Sequence, residues 1–262
     1  MSLNPCERHA SAPEAVAPQP LRGVRACMID LDGTLVDTLG DFEAALHQML
    51  AALGRPPVTR AQIERLVGKG SEHLIQSVLA LTQPASNAMN KEADGAMYEA
   101  AWQHYQRAYL RINGQHSRVY PGVVEGLATL RGAGLRLACL TNKPLAFARP
   151  LLAAKGLDGF FDHVFGGDSF ARKKPDPLPL LETCKALGTL PACTLMVGDS
   201  QNDALAARAA GCPVVLMTYG YNHGEPIRAV DADAHLDTLA ALAPGLAAGL
   251  APGGQNRVFK ES

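Results

Sequence analysis

Several features that mark specialised protein classes are missing from this 262-residue sequence. None of its six cysteines forms a CxxC pair, which argues against a zinc ribbon or a thioredoxin-type redox site. Positive and negative side chains nearly cancel, at 24 and 25, so the net charge of −1 gives no basic field to attract nucleic acid or anionic lipid. The 25 glycines and 18 prolines follow no period, which excludes a collagen-like chain.

Long hydrophobic runs are also missing. The Ala- and Leu-rich stretch 239–251 is broken by Pro244, Gly245 and Gly249, so it does not predict a membrane span. Residues 1–20 hold four prolines and no apolar core long enough for a secretory signal. Together with cysteines that lack a disulfide pattern, this favours a reducing, cytoplasmic location. The 47% hydrophobic content nevertheless supplies enough apolar surface for a folded globular protein.

The first half of the chain reads as a tail, one strand and then helices. Residues 1–22 form a loose Ala- and Pro-rich tail, and the apolar run 25–31 predicts a buried strand that ends in a tight turn. Thr38 and Asp41 are spaced as a capping box for the helix that follows. No strand pattern lies between residues 39 and 115. Four segments there have helical spacing: 39–54, 59–67, 71–82 and 90–112.

After residue 120, predicted strands alternate with predicted helices. The strands are 136–142, 163–168, 194–200 and 213–219, and the helices are 122–133, 144–155, 177–187 and 202–210. This alternation indicates an α/β fold, a Rossmann-like parallel sheet flanked by helices, into which the earlier helical segment is inserted. The predicted domains are a tail (1–22), a core in two parts (23–38 and 116–250), a helical insertion (39–115) and a second tail (251–262).

Polar residues collect where the predicted strands end, and ligands of open parallel sheets bind at that edge. They are Asp30, Asp32, Gly33, Thr141, Asn142, Lys174, Asp199 and Asp203. Four carboxylates at one rim need a compensating cation, and the economical one is Mg²⁺, which also accepts phosphate oxygens. Thr141, Lys174 and backbone N–H groups near Gly33 and Asn142 can receive a phosphoryl group.

Four segments carry a resemblance to a known family. DLDGT (30–34), LTN (140–142), KKPDP (173–177) and GDSQND (198–203) resemble the four motifs of the haloacid dehalogenase superfamily, in the same order. The resemblance covers roughly residues 24–240. It implies that the helical insertion is the cap that covers the active site in that family, and we call it the cap below.

The resemblance also implies roles for individual residues. Asp30 would be the nucleophile, forming an aspartyl-phosphate, and Asp32 would be the general acid and base. Asp199 would bind Mg²⁺ together with the Asp30 carboxylate and the Asp32 backbone carbonyl, with Asp203 fixing the metal shell. Thr141 and Lys174 would hold the phosphoryl group. Lys173 is the alternative to Lys174, but in the family the lysine directly precedes the proline.

Further segments narrow the implied activity. Dehalogenase members lack an acid at the position of Asp32, and the family's sugar-phosphate mutases carry a histidine where this chain has Phe42. VGKG (67–70), VDT (36–38), TNKP (141–144) and TYGYNHGEPI (218–227) are most similar to the bacterial phosphoglycolate phosphatases. A substrate with a phosphate and a carboxylate needs a second cation. Lys69 in the cap is the candidate, with His223 at the rim.

Other interpretations stay open at the level of sequence. Asp30 and Asp32 can act as turn formers, Asp203 as a helix N-terminal charge, and Lys174 as a surface lysine. The substrate can be another small metabolite, such as a sugar phosphate or a nucleotide. A non-catalytic regulatory protein of the same fold is the remaining alternative. We expect no membrane or nucleic-acid partner, and a monomer or a homodimer.

Overall fold

The structure, a computed structural model, describes residues 23–83 and 91–242, without the side chains of residues 91–94. The predicted tails, 1–22 and 251–262, lie outside the described residues, as does the end of the predicted core. No helix in the described part of the chain combines the length and the apolar character that crossing a bilayer requires.

The core is one parallel sheet of six strands: β1 (Ala26–Ile29), β4 (Arg136–Leu140), β5 (His163–Phe165), β6 (Thr194–Gly198), β7 (Val214–Met217) and β8 (Ala234–Leu236). Their order across the sheet is β5-β4-β1-β6-β7-β8. β1 is fully buried because β4 and β6 pair with its two sides. The predicted α/β fold is confirmed, and β8 is a strand that the sequence pattern did not predict.

Helices cover both faces of this sheet: α5 (Val123–Gly132), α6 (Leu145–Ala154), α7 (Leu178–Leu187) and α8 (Gln201–Ala210). Successive residues of β1 point to opposite faces, as the period of a strand requires. Cys27 and Ile29 therefore pack into one apolar cluster, and Met28 packs into another. All strands run the same way, so their carboxyl ends meet at one edge, and that edge lies beneath the cap.

The cap consists of four helices: α1 (Leu39–Ala52), α2 (Arg60–Leu66), α3 (Ser71–Leu81) and α4 (Lys91–Ile112). They surround an apolar cluster of their own, which contains Phe42, Tyr105 and Tyr109. The four predicted helices are confirmed within a few residues, whereas the domain boundary at 39–115 stays a prediction. Where the chain enters and leaves the cap, β2 (Val36–Asp37) pairs with β3 (Arg118–Val119), a ribbon too short to leave a sequence signal.

The predicted capping box at the start of α1 is wrong. The Thr38 side chain makes no capping hydrogen bond. Asp41 instead accepts hydrogen bonds from the backbone N–H groups of Gly114, at 2.8 Å, and His116, at 2.7 Å. Asp41 is fully buried, and both of its oxygens are occupied by the segment that returns from the cap. A tertiary contact thus takes the place of the predicted local one. It links the segment that enters the cap to the segment that leaves it.

Candidate active site

Three carboxylates meet at the edge where β1 and β6 end. Asp30, Asp199 and Asp203 can each offer one oxygen, and these oxygens lie within 4.8 Å of one another. All three residues are buried, with Asp30 retaining 8% of its surface. The sequence prediction that these residues come together therefore agrees with the structure.

The Asp199 carboxylate is fixed by two donors from neighbouring loops. Thr34 Oγ1 donates to one oxygen at 2.7 Å, and the Tyr221 N–H donates to the other at 2.6 Å. Gly33, at φ +84°, allows the DLDGT turn to pass close by, because any side chain there would collide with Asp199. The Gly33 N–H donates to Val36 O within the turn, so Gly33 shapes the site instead of offering this N–H to substrate.

Asp203 differs from the other two carboxylates because its oxygens are already occupied. One oxygen accepts hydrogen bonds from Ser200 Oγ at 2.7 Å, from the Ser200 N–H at 3.1 Å and from the Asp199 N–H at 3.2 Å. The other lies 2.6 Å from Lys174 Nζ. Asp203 caps α8 and fixes the loop that carries Asp199, which fits a supporting role better than a direct ligand role.

Lys174, and not Lys173, is the lysine that reaches the carboxylates. Its Nζ lies 2.6 Å from Asp203 and 3.1 Å from Asp30. Burial lowers the pKa of Lys174, but the ion pairs with Asp203 and Asp30 outweigh burial and hold this pKa above its ordinary value. Lys173 pairs with the exposed Glu72 of the cap at 2.8 Å. Lys174 therefore remains a cation at neutral pH.

One lysine does not neutralise this cluster. Burial raises the pKa of Asp30 to about 6, with Lys174 opposing the shift and Asp203 adding to it. Burial also raises the pKa of Asp199 well above its ordinary value, and the charges of Asp203 and Asp30 add to that effect. An excess of buried carboxylate oxygen is the donor set that a hard divalent cation prefers, so the residues fit such an ion.

The cap closes over this edge and leaves a small cavity of about 20 Å³, room for about one water molecule. Core and cap share its lining: Asp30, Asp32, Thr141, Asn142 and Lys143 from the core, and Phe42, Val67, Gly68, Gly70, Ser71 and Leu74 from the cap. Thr141 Oγ1 accepts from the Lys143 N–H at 3.2 Å, which leaves its own proton to donate. Thr141 is thus placed to contact a phosphate oxygen.

Asn142 links the core to the cap through its side chain. Its amide nitrogen donates to Gly68 O at 3.0 Å and to Lys174 O at 2.8 Å, and its amide oxygen accepts from the Lys174 N–H at 3.0 Å. These bonds occupy the Asn142 side chain, whereas the predicted contact with substrate is made by backbone N–H groups near Asn142. Asn142 therefore orients Lys174 and holds the cap turn, which accounts for its burial.

Neither predicted second cation lies in the cavity lining. Lys69 is exposed at the cap turn. His223, at φ 53°, places Nδ1 3.2 Å from Arg65 O, and its Nε2 lies 3.4 Å from Asn202 Nδ2. The lysine in the lining is Lys143. It directly follows the LTN motif, but no periodicity or spacing distinguishes it from a surface lysine.

Comparisons with known proteins agree with this arrangement. A family model described as haloacid dehalogenase-like hydrolase matches residues 24–211. The chain is 43% identical over 220 residues to a phosphoglycolate phosphatase of Thiobacillus denitrificans, covering 84% of this chain and 94% of that protein. A relative of the same name from Nitrosospira multiformis is 44% identical over 216 residues, covering 82% and 92%.

A solved structure gives the same result in three dimensions. The crystal structure of a predicted phosphoglycolate phosphatase from Haemophilus somnus superimposes with a TM-score of 0.80 at 33% identity, covering 85% of this chain and 97% of that one. At 85% of this chain, the match is too long to leave out either the sheet or the cap. The chain belongs to the haloacid dehalogenase-like hydrolase family.

Proposed function

We propose that this chain is a cytoplasmic, Mg²⁺-dependent phosphatase that converts 2-phosphoglycolate to glycolate and inorganic phosphate. The observation that carries the proposal is the placement of Asp30 and Asp32 in the lining of one cavity, with Lys174 Nζ 3.1 Å from Asp30. A nucleophilic carboxylate, an acid-base carboxylate and a fixed cation are the groups that two-step phosphoester hydrolysis requires. The choice of 2-phosphoglycolate as the substrate is inferred from the relatives named above, which are phosphoglycolate phosphatases.

The reaction proceeds in two displacements at phosphorus. An Asp30 oxygen attacks phosphorus, the bond from phosphorus to the alkyl oxygen breaks, and Asp32 gives its proton to the departing alkoxide. A water oxygen then attacks the aspartyl-phosphate, its proton passes to Asp32, and the bond from Asp30 to phosphorus breaks. Lys174 and the Thr141 hydroxyl stabilise negative charge on the phosphoryl oxygens in both steps.

Asp30 and Asp199, with the Asp32 backbone carbonyl, would hold Mg²⁺. When bound, the ion supplies charge neutralisation and a fixed position for a phosphate oxygen. Asp203 orients this set through the Asp199 and Ser200 backbone, at 3.2 and 3.1 Å. Because Asp203 orients the ligands and does not bind the ion itself, both of its oxygens can be occupied by other partners.

Mg²⁺ should stabilise the protein more at pH 7.5 than at pH 5.5. The raised pKa of Asp30, about 6, means that the folded metal-free protein binds more protons than the unfolded chain below that pH. Its stability therefore falls as the pH rises through about 6, and Mg²⁺ must displace protons at the lower pH. Mg²⁺ at about 100 times its Kd adds about 2.7 kcal/mol to the free energy of unfolding.

Thermal unfolding with and without Mg²⁺ at the two pH values measures this difference, with NaCl at matched ionic strength as the control. Equal shifts in Tm at both pH values would contradict the electrostatic argument. Chelator should also abolish turnover, and added Mg²⁺ should restore it.

Both the size and the lining of the cavity favour a short substrate. Its volume of about 20 Å³ holds about one water molecule, so any phosphate ester must enter with the cap displaced from the core. Phe42, Val67 and Leu74 form its apolar side, and they offer no hydrogen bonds to the hydroxyls of a sugar. A two-carbon acid leaves fewer hydroxyls without partners and needs a smaller displacement of the cap than a sugar phosphate or a nucleotide does.

A substrate panel tests the proposal directly. We expect kcat/KM for 2-phosphoglycolate to exceed that for glucose 6-phosphate, a nucleoside monophosphate and p-nitrophenyl phosphate. Discrimination by one charged hydrogen bond, about 1.5–3 kcal/mol, corresponds to roughly ten- to a hundredfold. A tenfold preference for any of the other esters would overturn the substrate and leave the phosphatase activity standing.

A further inference from the structure

Of the two buried lysines in the described part of the chain, Lys143 is the one that the proposed chemistry does not use. Its Nζ lies 3.0 Å from Asp32 Oδ1 and 3.3 Å from Asp32 Oδ2, and it donates to the Tyr109 hydroxyl at 2.6 Å. The Lys143 side chain is 1% exposed and that of Asp32 is 10% exposed. A lysine this deeply buried loses its hydration, so its position depends on the groups that replace water.

Those groups come from both halves of the protein. Lys143 and Asp32 belong to the core, whereas Phe42 lies on α1 and Tyr109 on α4 of the cap. The ammonium group lies 4.4 Å from the centre of the Phe42 ring and 4.5 Å from the centre of the Tyr109 ring, within range of cation–π attraction. The cap therefore forms an aromatic cage around a core lysine, and we refer to Phe42 and Tyr109 as the cage.

Asp32 depends on this lysine for its orientation. Among the described residues, the Asp32 carboxylate accepts hydrogen bonds from Lys143 alone. Asp32 must face the leaving oxygen in the first step and the attacking water in the second, and misplacement of such a group is costly to rate. A carboxylate with one partner takes its orientation from that partner.

We propose that Lys143, held in the Phe42–Tyr109 cage, is the positioning residue that aims Asp32 for both proton transfers. Because the cage belongs to the cap, Asp32 is set in place only when the cap lies against the core. The inference rests on the proposed phosphatase mechanism, but it holds for any phosphate ester that the enzyme accepts. Lys143 takes no part in the proton transfers and forms no bond to the reacting atoms.

The test is a double-mutant cycle between Lys143→Met and Asp32→Asn, measured on 2-phosphoglycolate with the full-length protein and saturating Mg²⁺. Methionine keeps an unbranched side chain that is one atom shorter and removes the charge. We expect Lys143→Met to lower kcat about 10²-fold with KM changed less than about twofold, since its effect passes through acid-base catalysis. In the Asp32→Asn background the same substitution should cost less than about twofold, because the group it positions is absent.

Two tyrosines of α4 provide a milder matched pair. Tyr109→Phe removes the hydroxyl that contacts Lys143, and we expect it to lower kcat by about threefold to tenfold, an effect that vanishes with Asp32→Asn. Tyr105→Phe removes a buried hydroxyl that makes no hydrogen bond to the described residues, and it should leave kcat unchanged. If Lys143→Met does not fold, the Tyr109→Phe cycle decides the question.

The outcomes separate this inference from the function on which it rests. Equal losses in the wild-type and Asp32→Asn backgrounds would overturn the positioning role and leave the phosphatase intact. A rise in KM for 2-phosphoglycolate, with p-nitrophenyl phosphate unaffected, would show that Lys143 binds the substrate carboxylate. That result would also overturn the positioning role. If wild type prefers another ester, only the substrate fails, and the cycle is repeated with that ester.

Discussion

Replacing Asp30 with asparagine should lower kcat/KM by roughly 10⁴- to 10⁶-fold while the protein remains folded. The amide is a far weaker nucleophile than the carboxylate, so the first displacement is lost and no other described group is placed to substitute for it. Asparagine can still accept the hydrogen bond that the Leu31 N–H makes to Asp30 at 2.7 Å. The local backbone therefore has no reason to move.

The same substitution should leave the metal-free protein at least as stable as wild type. Asp30 is one of the charges that raise the pKa of Asp199, so its removal relieves repulsion among buried carboxylates. Steady-state kinetics and thermal unfolding measure the two effects separately. Asp158→Asn, the same change at an exposed position, is the matched control and should alter neither. Turnover within tenfold of wild type would refute Asp30 as nucleophile.

Replacing Lys174 with methionine should destabilise the metal-free protein by about 3–5 kcal/mol at pH 7.5, the usual effect of removing one member of a buried ion pair. The Lys174 side chain is 2% exposed and its ammonium group contacts both Asp30 and Asp203, so its loss leaves buried carboxylates without their contacting cation. At pH 5 the loss should be smaller, because carboxyls whose pKa is raised take up protons instead. Saturating Mg²⁺ should recover part of the stability.

Lys173→Met provides the matched control, since it makes the same change one residue earlier. Lys173 pairs with a cap glutamate whose side chain is 63% exposed, and such a pair contributes about 0–1 kcal/mol. Denaturant unfolding of the two variants at both pH values distinguishes the roles. Comparable losses from Lys173→Met and Lys174→Met would show that the charge balance around Asp30 does not depend on the buried lysine.

Much of the site could be predicted because it follows from chain order and strand polarity. Asp30 and Asp199 both follow apolar runs that read as strands, and parallel strands place their carboxyl ends at one edge. Lys174 could be preferred to Lys173 only through the resemblance to the haloacid dehalogenase superfamily, in which the lysine directly precedes the proline. The helices of the cap carried their own periodic signal, since each buries one apolar face.

The side-chain partners could not be predicted in the same way. The spacing of Asp41 predicts a local capping bond, yet its carboxylate accepts from backbone N–H groups 73 and 75 positions away. Asn142 bonds to the carbonyl of Gly68, 74 positions distant, and Lys143 meets Asp32 across 111 positions. Sequence spacing carries no information on such contacts, because they depend on how the cap lies against the core.

The sequence by itself determined the parallel sheet, the inserted helices and the set of aspartates at one edge, because periodicity and strand direction are local properties of the chain. Only the tertiary structure decided which polar atoms are occupied and which are available. Closure of the cap removed water from Lys143 and left Asp32 and the cage of Phe42 and Tyr109 to replace it. A desolvated charge takes whatever partners the fold brings within a few ångströms, and those partners come from distant parts of the chain.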